Sequence, residues 1–470
     1  MKAVGASLPR YDGIAHVTAQ TRYVDDVHPT HMLWAKALRS PVPSALITRL
    51  DTSRAETMPG VHGVITHRDV PNNVVGHQEV WGIDPDEPLL AEHEVRYEGQ
   101  LIAVVAAETE AQAQAAVEAI VLEYQERPPF LDIRRAFDAG QPQVAPDGNV
   151  YFYYPDQPQR QIRKGNVDEA FAAADLIVEG TYRPGAIEQA PAEPQVAVAV
   201  PEANGRITIY STTQAMYYSM DITARHLRIP MGQLKFVGGT VGGGFGGKID
   251  TITEPVTAVL AIKTRRPVKW RFTREEEMLT SSTRASWHVE IADAVTKDGW
   301  ILGRKTLTLH DAGAYMRTSA YACSKHTFHL AGAYTIPNCA FNTFVVKTNR
   351  VPSAAMRGFG VTSATFAVET HLNRIADLIG MDPWELRLKN ANRVGDSSPS
   401  RVVYGNPSTV STLLAAAEAT GVELPADLRA MTNHKREGAL LPMHLVDQQF
   451  EPHTHPLAWR DARPALEGGK

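Results

Sequence analysis

Cysteine is almost absent from this sequence, which has two among 470 residues, Cys323 and Cys339. Two thiols cannot ligate an iron–sulfur cluster or a four-cysteine zinc site. We therefore expect any electron carrier to lie on another chain. Free cysteines in globular proteins usually pack as small apolar side chains, so we expect both thiols to be buried.

Long apolar runs and an excess of charge of one sign are also missing. Apolar stretches such as residues 101–107 are far shorter than the roughly 20 residues that a membrane helix needs. The 47 basic and 52 acidic residues give a formal net charge of -5, which excludes the basic field typical of nucleic-acid binding. Residues 1–5 lead into polar sequence without an apolar export core, and we expect a cytoplasmic protein.

The length of 470 residues predicts two or three domains. Composition and periodicity together place the boundaries between them, because a stretch rich in proline, glycine and aspartate interrupts the mixed strand and helix patterns. The predicted segments are an α+β domain at 1–140, a linker at 141–160, a larger domain at 161–432 and a loosely ordered tail at 433–470.

Both domains mix strand and helix patterns. Short apolar runs indicate strands, and apolar residues at a spacing of three or four indicate helices. The predicted strands are 33–38, 61–66, 101–107, 195–200, 207–210, 260–262 and 268–272, and the predicted helices are 109–124, 215–228, 367–378 and 383–392.

The most unusual stretch is 237–248, in which seven glycines surround Phe245. Such glycine density suits a backbone that turns sharply and brings its amides against a large polar ligand. A dinucleotide fingerprint does not fit the surrounding pattern, and a Walker loop fails because Ile249, not Ser or Thr, follows Lys248. We predict a rigid cradle for a bulky phosphorylated cofactor, with a flexible glycine loop as the alternative.

A second unusual stretch, MRGFG at 356–360, places Arg357 beside two glycines and an aromatic ring. A guanidinium is suited to binding phosphate or carboxylate. The polar run STTQ at 211–214 offers further hydrogen-bonding groups. We expect these two stretches and the glycine-rich stretch to form three loops that converge on one ligand.

These motifs occur in a fixed order: STTQ at 211–214, VGGGFGGK at 241–248, RGFG at 357–360 and DPWELRLKNA at 382–391. In order and spacing they resemble the molybdenum hydroxylases of the xanthine dehydrogenase and aldehyde oxidase group. The amino-terminal part is similar to the hammerhead domain of that group, notably in YEGQ at 97–100. The resemblance implies an α+β fold in which an a/b hammerhead domain precedes the first molybdopterin-binding domain.

The resemblance also implies a cofactor and a reaction. The cofactor is molybdenum-molybdopterin, in its cytosine dinucleotide form, and the reaction inserts a water-derived oxygen into a C–H bond of an aromatic N-heterocycle or an aldehyde. In that group the metal has no side-chain ligand, so no protein metal ligand is expected here. Electrons are expected to pass to 2Fe-2S and FAD groups on partner subunits.

Individual residues take roles from the same resemblance. Gln214 corresponds to the glutamine that hydrogen-bonds an oxo ligand of molybdenum, and a solvated turn is the alternative. Arg357 is expected to help hold the cofactor. The residues expected to bind the cofactor are Gln214, Gly243, Gly244, Phe245, Gly246 and Arg357.

Three residues are expected to face the substrate. Phe359 matches the aromatic residue that packs against flat substrates, with simple core packing as the alternative. Ile249 stands where purine-oxidising members carry a glutamate, and its apolar side chain speaks against purine selectivity. Lys325 aligns near a substrate-facing arginine of those members, with an exposed surface lysine as the alternative.

In the same group the catalytic base is a glutamate in a second molybdopterin-binding domain, which has no counterpart in these motifs. We therefore expect the base Glu on a partner chain, a second molybdopterin-binding subunit, as in nicotinate dehydrogenase-like enzymes with a split large subunit. The alternatives are a truncated chain and a non-catalytic cofactor-binding scaffold. A nicotinamide-dependent dehydrogenase is disfavoured because the dinucleotide fingerprint is missing.

Overall fold

A computed structural model of the protein describes residues 4–77, 79, 83–154 and 157–435. The strands are β1 (Leu33–Arg39), β2 (Ala45–Asp51), β3 (Val61–Ile65), β4 (Glu94–Val95), β5 (Leu101–Ala107), β6 (Val121–Glu126), β7 (Gln159–Lys164), β8 (Leu176–Tyr182), β9 (Val196–Pro201), β10 (Ile207–Ser211), β11 (Leu234–Gly238), β12 (Val268–Arg271), β13 (Trp287–Val295), β14 (Ile301–Gly313) and β15 (Asn338–Lys347). The helices are α1 (Gly13–Val17), α2 (Ser53–Glu56), α3 (Glu110–Glu118), α4 (Val167–Ala172), α5 (Met216–Leu227), α6 (Thr253–Thr264), α7 (Arg274–Thr280), α8 (Ser319–Phe328), α9 (Val361–Ile379), α10 (Pro383–Asn390), α11 (Thr409–Thr420) and α12 (Ala426–Arg429). This mixture of helix and sheet confirms the predicted α+β class.

Strands from the amino-terminal part and from the middle of the sequence share the largest sheet, a seven-stranded one with the order β11-β10-β9-β12-β1-β5-β3. β1 pairs in parallel with β12, which places Leu33 opposite Val268. One hydrophobic core, with fully buried Val104, Leu260 and Trp270, packs against this sheet. Backbone hydrogen bonds and a common core therefore join the amino-terminal strands to those of the larger predicted domain.

Two further sheets complete the fold. A five-stranded sheet has the order β7-β15-β14-β13-β8, and α9 packs on it through buried Val368 and Leu372. A three-stranded sheet, β4-β2-β6, belongs to the amino-terminal part. α8 and the start of α9 lie near the ends of β10 and β11, because residues of α8 and of the loops next to the other three elements line one cavity.

The predicted helix over 109–124 is wrong in its second half. α3 ends at Glu118, and the following residues form β6, which pairs antiparallel with β2. The helical half buries Ala113 and Ala116 as the spacing predicts. Val121 and Tyr124 are favourable strand residues, and pairing with β2 outweighs the helical spacing.

The predicted strand at 260–262 is also wrong, because these residues lie inside α6. Every residue of α6 from Thr253 to Ala261 is buried. A helix surrounded by protein shows no polar face, so a short apolar run within it cannot be told from a buried strand by periodicity. The other predicted strands and helices match β1, β3, β5, β9, β10, β12, α5, α9 and α10 to within a few residues at most of their ends.

The segment predicted as a linker, 141–160, packs against the five-stranded sheet. Val144 and Ala145 are buried, and Val150 forms an isolated antiparallel bridge with Val346. Of the predicted tail at 433–470, the residues from 436 onward lie outside the described part of the chain.

Both cysteines are buried, as the sequence predicts. Among the described residues, no helix combines the length and the apolar character that crossing a membrane requires.

The assignment of residues 260–262 to a helix predicts different costs for two neighbouring substitutions. Leu260→Ala should lower the free energy of unfolding by about 2–5 kcal/mol, because Leu260 is fully buried. Ile262→Ala should cost less than about 1 kcal/mol, because this side chain is 47% exposed on the same helix. Urea unfolding of the two purified variants measures both values, and equal costs would contradict the helical assignment.

Candidate active site

Three loops meet around one cavity of about 810 Å³. β10 and β11 are parallel neighbours that end side by side, with Ser211 opposite Gly238, so the STTQ run and the glycine-rich loop leave the same edge of the sheet. The RGFG loop reaches the cavity from the turn before α9, and Tyr321 and Thr318 reach it from the beginning of α8. The predicted convergence of three loops is therefore present in the fold.

The glycine-rich loop and the RGFG loop touch each other through their backbones. Gly246 has a φ of +106°, and a Cβ placed there would overlap the carbonyl oxygen of Ala355. The amide of Arg357 donates a hydrogen bond of 2.7 Å to the carbonyl oxygen of Phe245. Only glycine allows this close approach, because any other residue would push the two loops apart.

Two buried glutamines fix the carbonyl groups of these loops. Gln189 Nε2 donates to Ala355 O at 2.7 Å, and Gln195 Nε2 donates to Gly247 O at 2.8 Å. Both side chains are at least nine-tenths buried. Hydrogen bonds made away from solvent hold the loop backbones in one conformation, which makes the cavity wall rigid.

Gln214 is held by the same glycine-rich loop. Its side-chain Oε1 accepts hydrogen bonds from the backbone amides of Gly246 at 3.0 Å and Lys248 at 3.3 Å. The backbone amide of Gln214 donates to Lys248 O at 2.8 Å. Because both partners of the side chain are N–H donors, the atom facing them is the carbonyl oxygen. The Nε2 amide has no partner in the described part of the chain and remains a donor at the cavity wall.

Lys248 is turned away from the cavity, although it ends the glycine-rich loop. Its side chain is fully buried, and Nζ lies 3.0 Å from Glu193 Oε2. The same carboxylate oxygen accepts the amide of Gly242 at 2.7 Å. Burial lowers the pKa of Lys248, and the nearby Glu193 charge opposes that shift. This lysine therefore anchors the loop from behind.

The RGFG loop brings one cation and one aromatic ring to the cavity, and Tyr321 of α8 adds a second ring beside it. Arg357 is exposed, has no acidic partner among the described residues, and is the one charged side chain among those that line the cavity there. The Phe359 ring lies 5.3 Å from the Tyr321 ring, centroid to centroid. Phe359 has a φ of +34°, which is strained for an aromatic residue and turns the backbone here. The loop thus presents a positive charge beside a flat apolar surface.

The neutral side chain of His326 holds the end of the RGFG loop through a hydrogen bond to Gly360. Burial lowers the pKa of His326 to about 3, and its Nδ1 donates to Gly360 O at 3.1 Å. The Trp287 ring stacks on the imidazole with centroids 4.2 Å apart. A Cβ at Gly360 would overlap the carbonyl oxygen of Ala322, so α8 and the start of α9 also meet backbone to backbone.

The structure brings nearly all of the predicted site residues together. Lys325 is the exception: it does not line the cavity, and its ammonium group lies 5.3 Å from the centroid of the Tyr321 ring. The predicted residues that line the cavity are Gln214, Gly243, Gly244, Phe245, Gly246, Ile249, Arg357 and Phe359.

Several lining residues have no signal in the sequence. Thr318 immediately precedes α8, Tyr321 lies in its first turn, and Tyr218 lies in the first turn of α5. Their contribution depends on how α5 and α8 pack, which no local motif encodes. Of the two buried glutamines, Gln195 is the first residue of the predicted strand at 195–200, and a polar residue in that position is a weak sequence signal for a hydrogen-bonding role.

Two family models match the chain. The aldehyde oxidase and xanthine dehydrogenase a/b hammerhead domain matches residues 18–128, and the molybdopterin cofactor-binding domain matches residues 151–391. The chain belongs to the xanthine dehydrogenase and aldehyde oxidase family. The order of the two domains is the predicted one, and the three loops of the cavity all lie in the cofactor-binding domain of this family.

Members of the family differ in how much of their length this chain covers. The nicotinate dehydrogenase large molybdopterin subunit of Eubacterium barkeri is 32% identical over 418 residues, which cover 89% of this chain and 96% of that protein. The nicotine 6-hydroxylase large subunit of Paenarthrobacter nicotinovorans is 32% identical over 451 residues, which cover 93% of this chain and 54% of that protein. The solved aldehyde oxidoreductase from Desulfovibrio gigas matches with a TM-score of 0.81 at 32% identity and covers 90% of this chain and 48% of that one. The chain thus spans about half the length of the last two.

The contact between the two loops predicts that Gly246→Ala is destabilising. The substitution should lower the free energy of unfolding by about 1–3 kcal/mol, because alanine is strained at this φ and its Cβ overlaps Ala355 O. Gly232→Ala is the matched control, since a Cβ there meets no atom within 4 Å. Urea unfolding compares the two variants, and a Gly246→Ala protein as stable as the control would contradict the contact.

Proposed function

We propose that this chain holds the molybdenum cofactor of a heteromeric molybdenum hydroxylase, which hydroxylates an aromatic N-heterocycle or an aldehyde with oxygen derived from water. The observation that carries the proposal is Gln214. Its side-chain oxygen accepts from two loop amides, which leaves Nε2 as a donor without a partner among the described residues, at the wall of a large cavity. Such a donor suits an oxygen ligand that carries negative charge.

The residues around the cavity fit a bulky phosphorylated cofactor. A Cβ at Gly244 would overlap Gln214 Oε1, and Gly243 and Gly246 both have positive φ. The backbone of the glycine-rich loop can therefore lie against a large ligand without side chains in between. Gln214, the backbone of 243–246 and Arg357 would hold the cofactor, with the Arg357 guanidinium placed for an anionic phosphate.

When bound, the cofactor would supply the oxidising power and would transfer the water-derived oxygen, and the protein would supply orientation. Gln214 Nε2 would donate a hydrogen bond to an oxygen ligand of the cofactor and so orient it. Phe359 and Tyr321 offer ring faces that suit a flat substrate. Ile249 adds an apolar wall that neither donates nor accepts a hydrogen bond. These features favour an aromatic substrate without a polar group at the Ile249 position.

A carboxylate base and the electron carriers are assigned to partner chains in this proposal. Among the described residues that line the cavity, none has a carboxylate, whereas removal of a proton during the reaction needs a base. The similarity to a protein named as a large molybdopterin subunit supports an assembly of several chains. The proposed partners are a second molybdopterin-binding subunit with the base Glu, a 2Fe-2S subunit and an FAD subunit, and the proposed cofactor is the cytosine dinucleotide form.

Purification of the chain with its partners tests the proposal. Molybdenum and cytidine monophosphate released on hydrolysis should each be found in about equimolar amounts with this chain. Aldehydes or N-heterocycles should reduce an artificial dye. A complex that contains molybdenum but leaves the dye oxidised would indicate a scaffold, and an active complex without molybdenum would refute the proposal.

Gln214→Ala then tests the central residue in the same complex. Loss of a hydrogen bond to a charged acceptor should lower kcat by about 10- to 100-fold, which corresponds to about 1.4–2.7 kcal/mol. Gln233→Ala, an exposed glutamine away from the cavity, is the control and should leave kcat unchanged. A Gln214→Ala enzyme with the activity of the control would remove the role assigned to this residue.

A further inference from the structure

A buried ionic cluster lies next to two walls of the cavity. Arg317 is 5% exposed and donates to both oxygens of Glu87, from Nε at 2.8 Å and from Nη2 at 2.7 Å. Its Nη1 donates to Ser282 Oγ at 2.7 Å, and Ser282 Oγ in turn donates to Asp250 Oδ2. We refer to Glu87, Asp250, Ser282 and Arg317 as the Arg317 cluster.

Two members of the Arg317 cluster are direct chain neighbours of residues that line the cavity. Asp250 follows Ile249, at the end of the glycine-rich loop, and Arg317 precedes Thr318, at the start of α8. Arg317 itself has a φ of +32°, which a residue with a side chain rarely adopts. Its hydrogen bonds hold the backbone in this strained turn, so the position of Thr318 depends on them.

The other side of the cluster comes from the hammerhead region. Glu87 lies within residues 18–128, which match the hammerhead model, whereas Arg317 and Asp250 lie within 151–391. The neighbouring Asp86 accepts the amide of Met316 at 2.8 Å. Two consecutive acidic residues of the hammerhead region, Asp86 and Glu87, therefore accept hydrogen bonds from the consecutive residues Met316 and Arg317, next to the cavity.

Burial makes these contacts mutually dependent. Burial alone would raise the pKa of Glu87, but the charge and hydrogen bonds of Arg317 lower it. His77 lies between Glu87 and Asp250, with Nε2 4.0 Å from Glu87 Oε2 and Nδ1 4.0 Å from Asp250 Oδ1. Burial lowers the pKa of its imidazole. Removing the guanidinium leaves two buried carboxylates without their cation, and the groups must then move apart or take up water or protons.

We propose that the Arg317 cluster is a positioning device through which the hammerhead domain fixes the Ile249 and Thr318 walls of the cofactor cavity. Arg317 and Asp250 are then positioning residues, since neither lines the cavity. The inference rests on the proposed function only where cofactor retention is concerned. The dependence of the backbone at Ile249 and Thr318 on the Arg317 cluster can be measured on this chain without the cofactor.

Arg304 provides a matched control for Arg317. It is fully buried and donates to both oxygens of Asp293, from Nε at 2.7 Å and from Nη2 at 2.6 Å. It lies on β14, pairs with a residue on β13, and does not line the cavity. Arg317→Met and Arg304→Met thus remove the same kind of buried ion pair, and only the first should loosen the cavity walls.

Hydrogen exchange of the purified full chain, without cofactor, tests this coupling. In Arg317→Met, amides at 246–251 and 316–319 should exchange about tenfold faster than in the wild type, because the turn at Arg317 and the end of the glycine-rich loop lose their hydrogen bonds. In Arg304→Met these segments should exchange as in the wild type. Arg317→Lys, which keeps the charge without the two-pronged geometry, should give an intermediate rate.

Asp250→Asn covers the case in which Arg317→Met fails to fold. Asparagine keeps the size of the side chain and can still accept the Ser282 hydrogen bond, but it removes the negative charge that lies 3.7 Å from Arg317 Nη1. The expected result is therefore faster exchange confined to 246–251. Unchanged exchange in Asp250→Asn and Arg317→Lys, or equal acceleration in Arg304→Met and Arg317→Met, would overturn the inference.

Molybdenum content of the assembled complex gives the second measurement. Arg317→Met should retain several-fold less molybdenum than Arg304→Met, and retention equal to that of Arg304→Met would count against the inference. If even the wild-type complex holds no molybdenum, the proposed function fails while the exchange result on the isolated chain stands by itself.

Discussion

The backbone contact between the glycine-rich loop and the RGFG loop is the constraint on which the site depends. It exists because Gly246 has no side chain, so the loop can lie directly against Ala355 O. The hydrogen bond from the amide of Arg357 to Phe245 O closes the same contact. With the two loops fixed against each other, residues of both line one wall of the cavity. The amides of Gly246 and Lys248 in the glycine-rich loop then fix the orientation of the Gln214 side chain.

The rest of the fold supports that contact from several directions. The parallel pair β10 and β11 delivers two of the loops to one edge of the large sheet. Buried polar side chains then hold the loops from behind: Gln189, Gln195, the Lys248–Glu193 pair and His326 each bond to loop backbone or to a residue of the loop. Each of these groups would be costly to bury alone, and together they define one loop conformation. The polar interior of this region therefore serves the geometry of the cavity.

Sequence reasoning succeeded where a local pattern determines the structure. Glycine density, the polar STTQ run and the RGFG stretch predicted three loops that converge on one ligand, and the resemblance to the family assigned Gln214, Ile249 and Phe359 to the site. It failed where residues distant in the sequence determine the local structure. Pairing with β2 makes Val121–Glu126 a strand, and the burial of α6 on all sides removes the polar face that would show its helical period. Arg317 is the clearest example, since an arginine is expected at the surface, and its partner Glu87 lies 230 residues away in the sequence.

Anomalous X-ray diffraction at the molybdenum absorption edge, on crystals of the purified complex, tests the central claim most directly. A single strong molybdenum peak is expected inside the cavity bounded by Gln214, Phe245 and Arg357, on the side of Gln214 that carries Nε2. A peak remote from all three loops, or a fully active complex without any molybdenum peak, would contradict it.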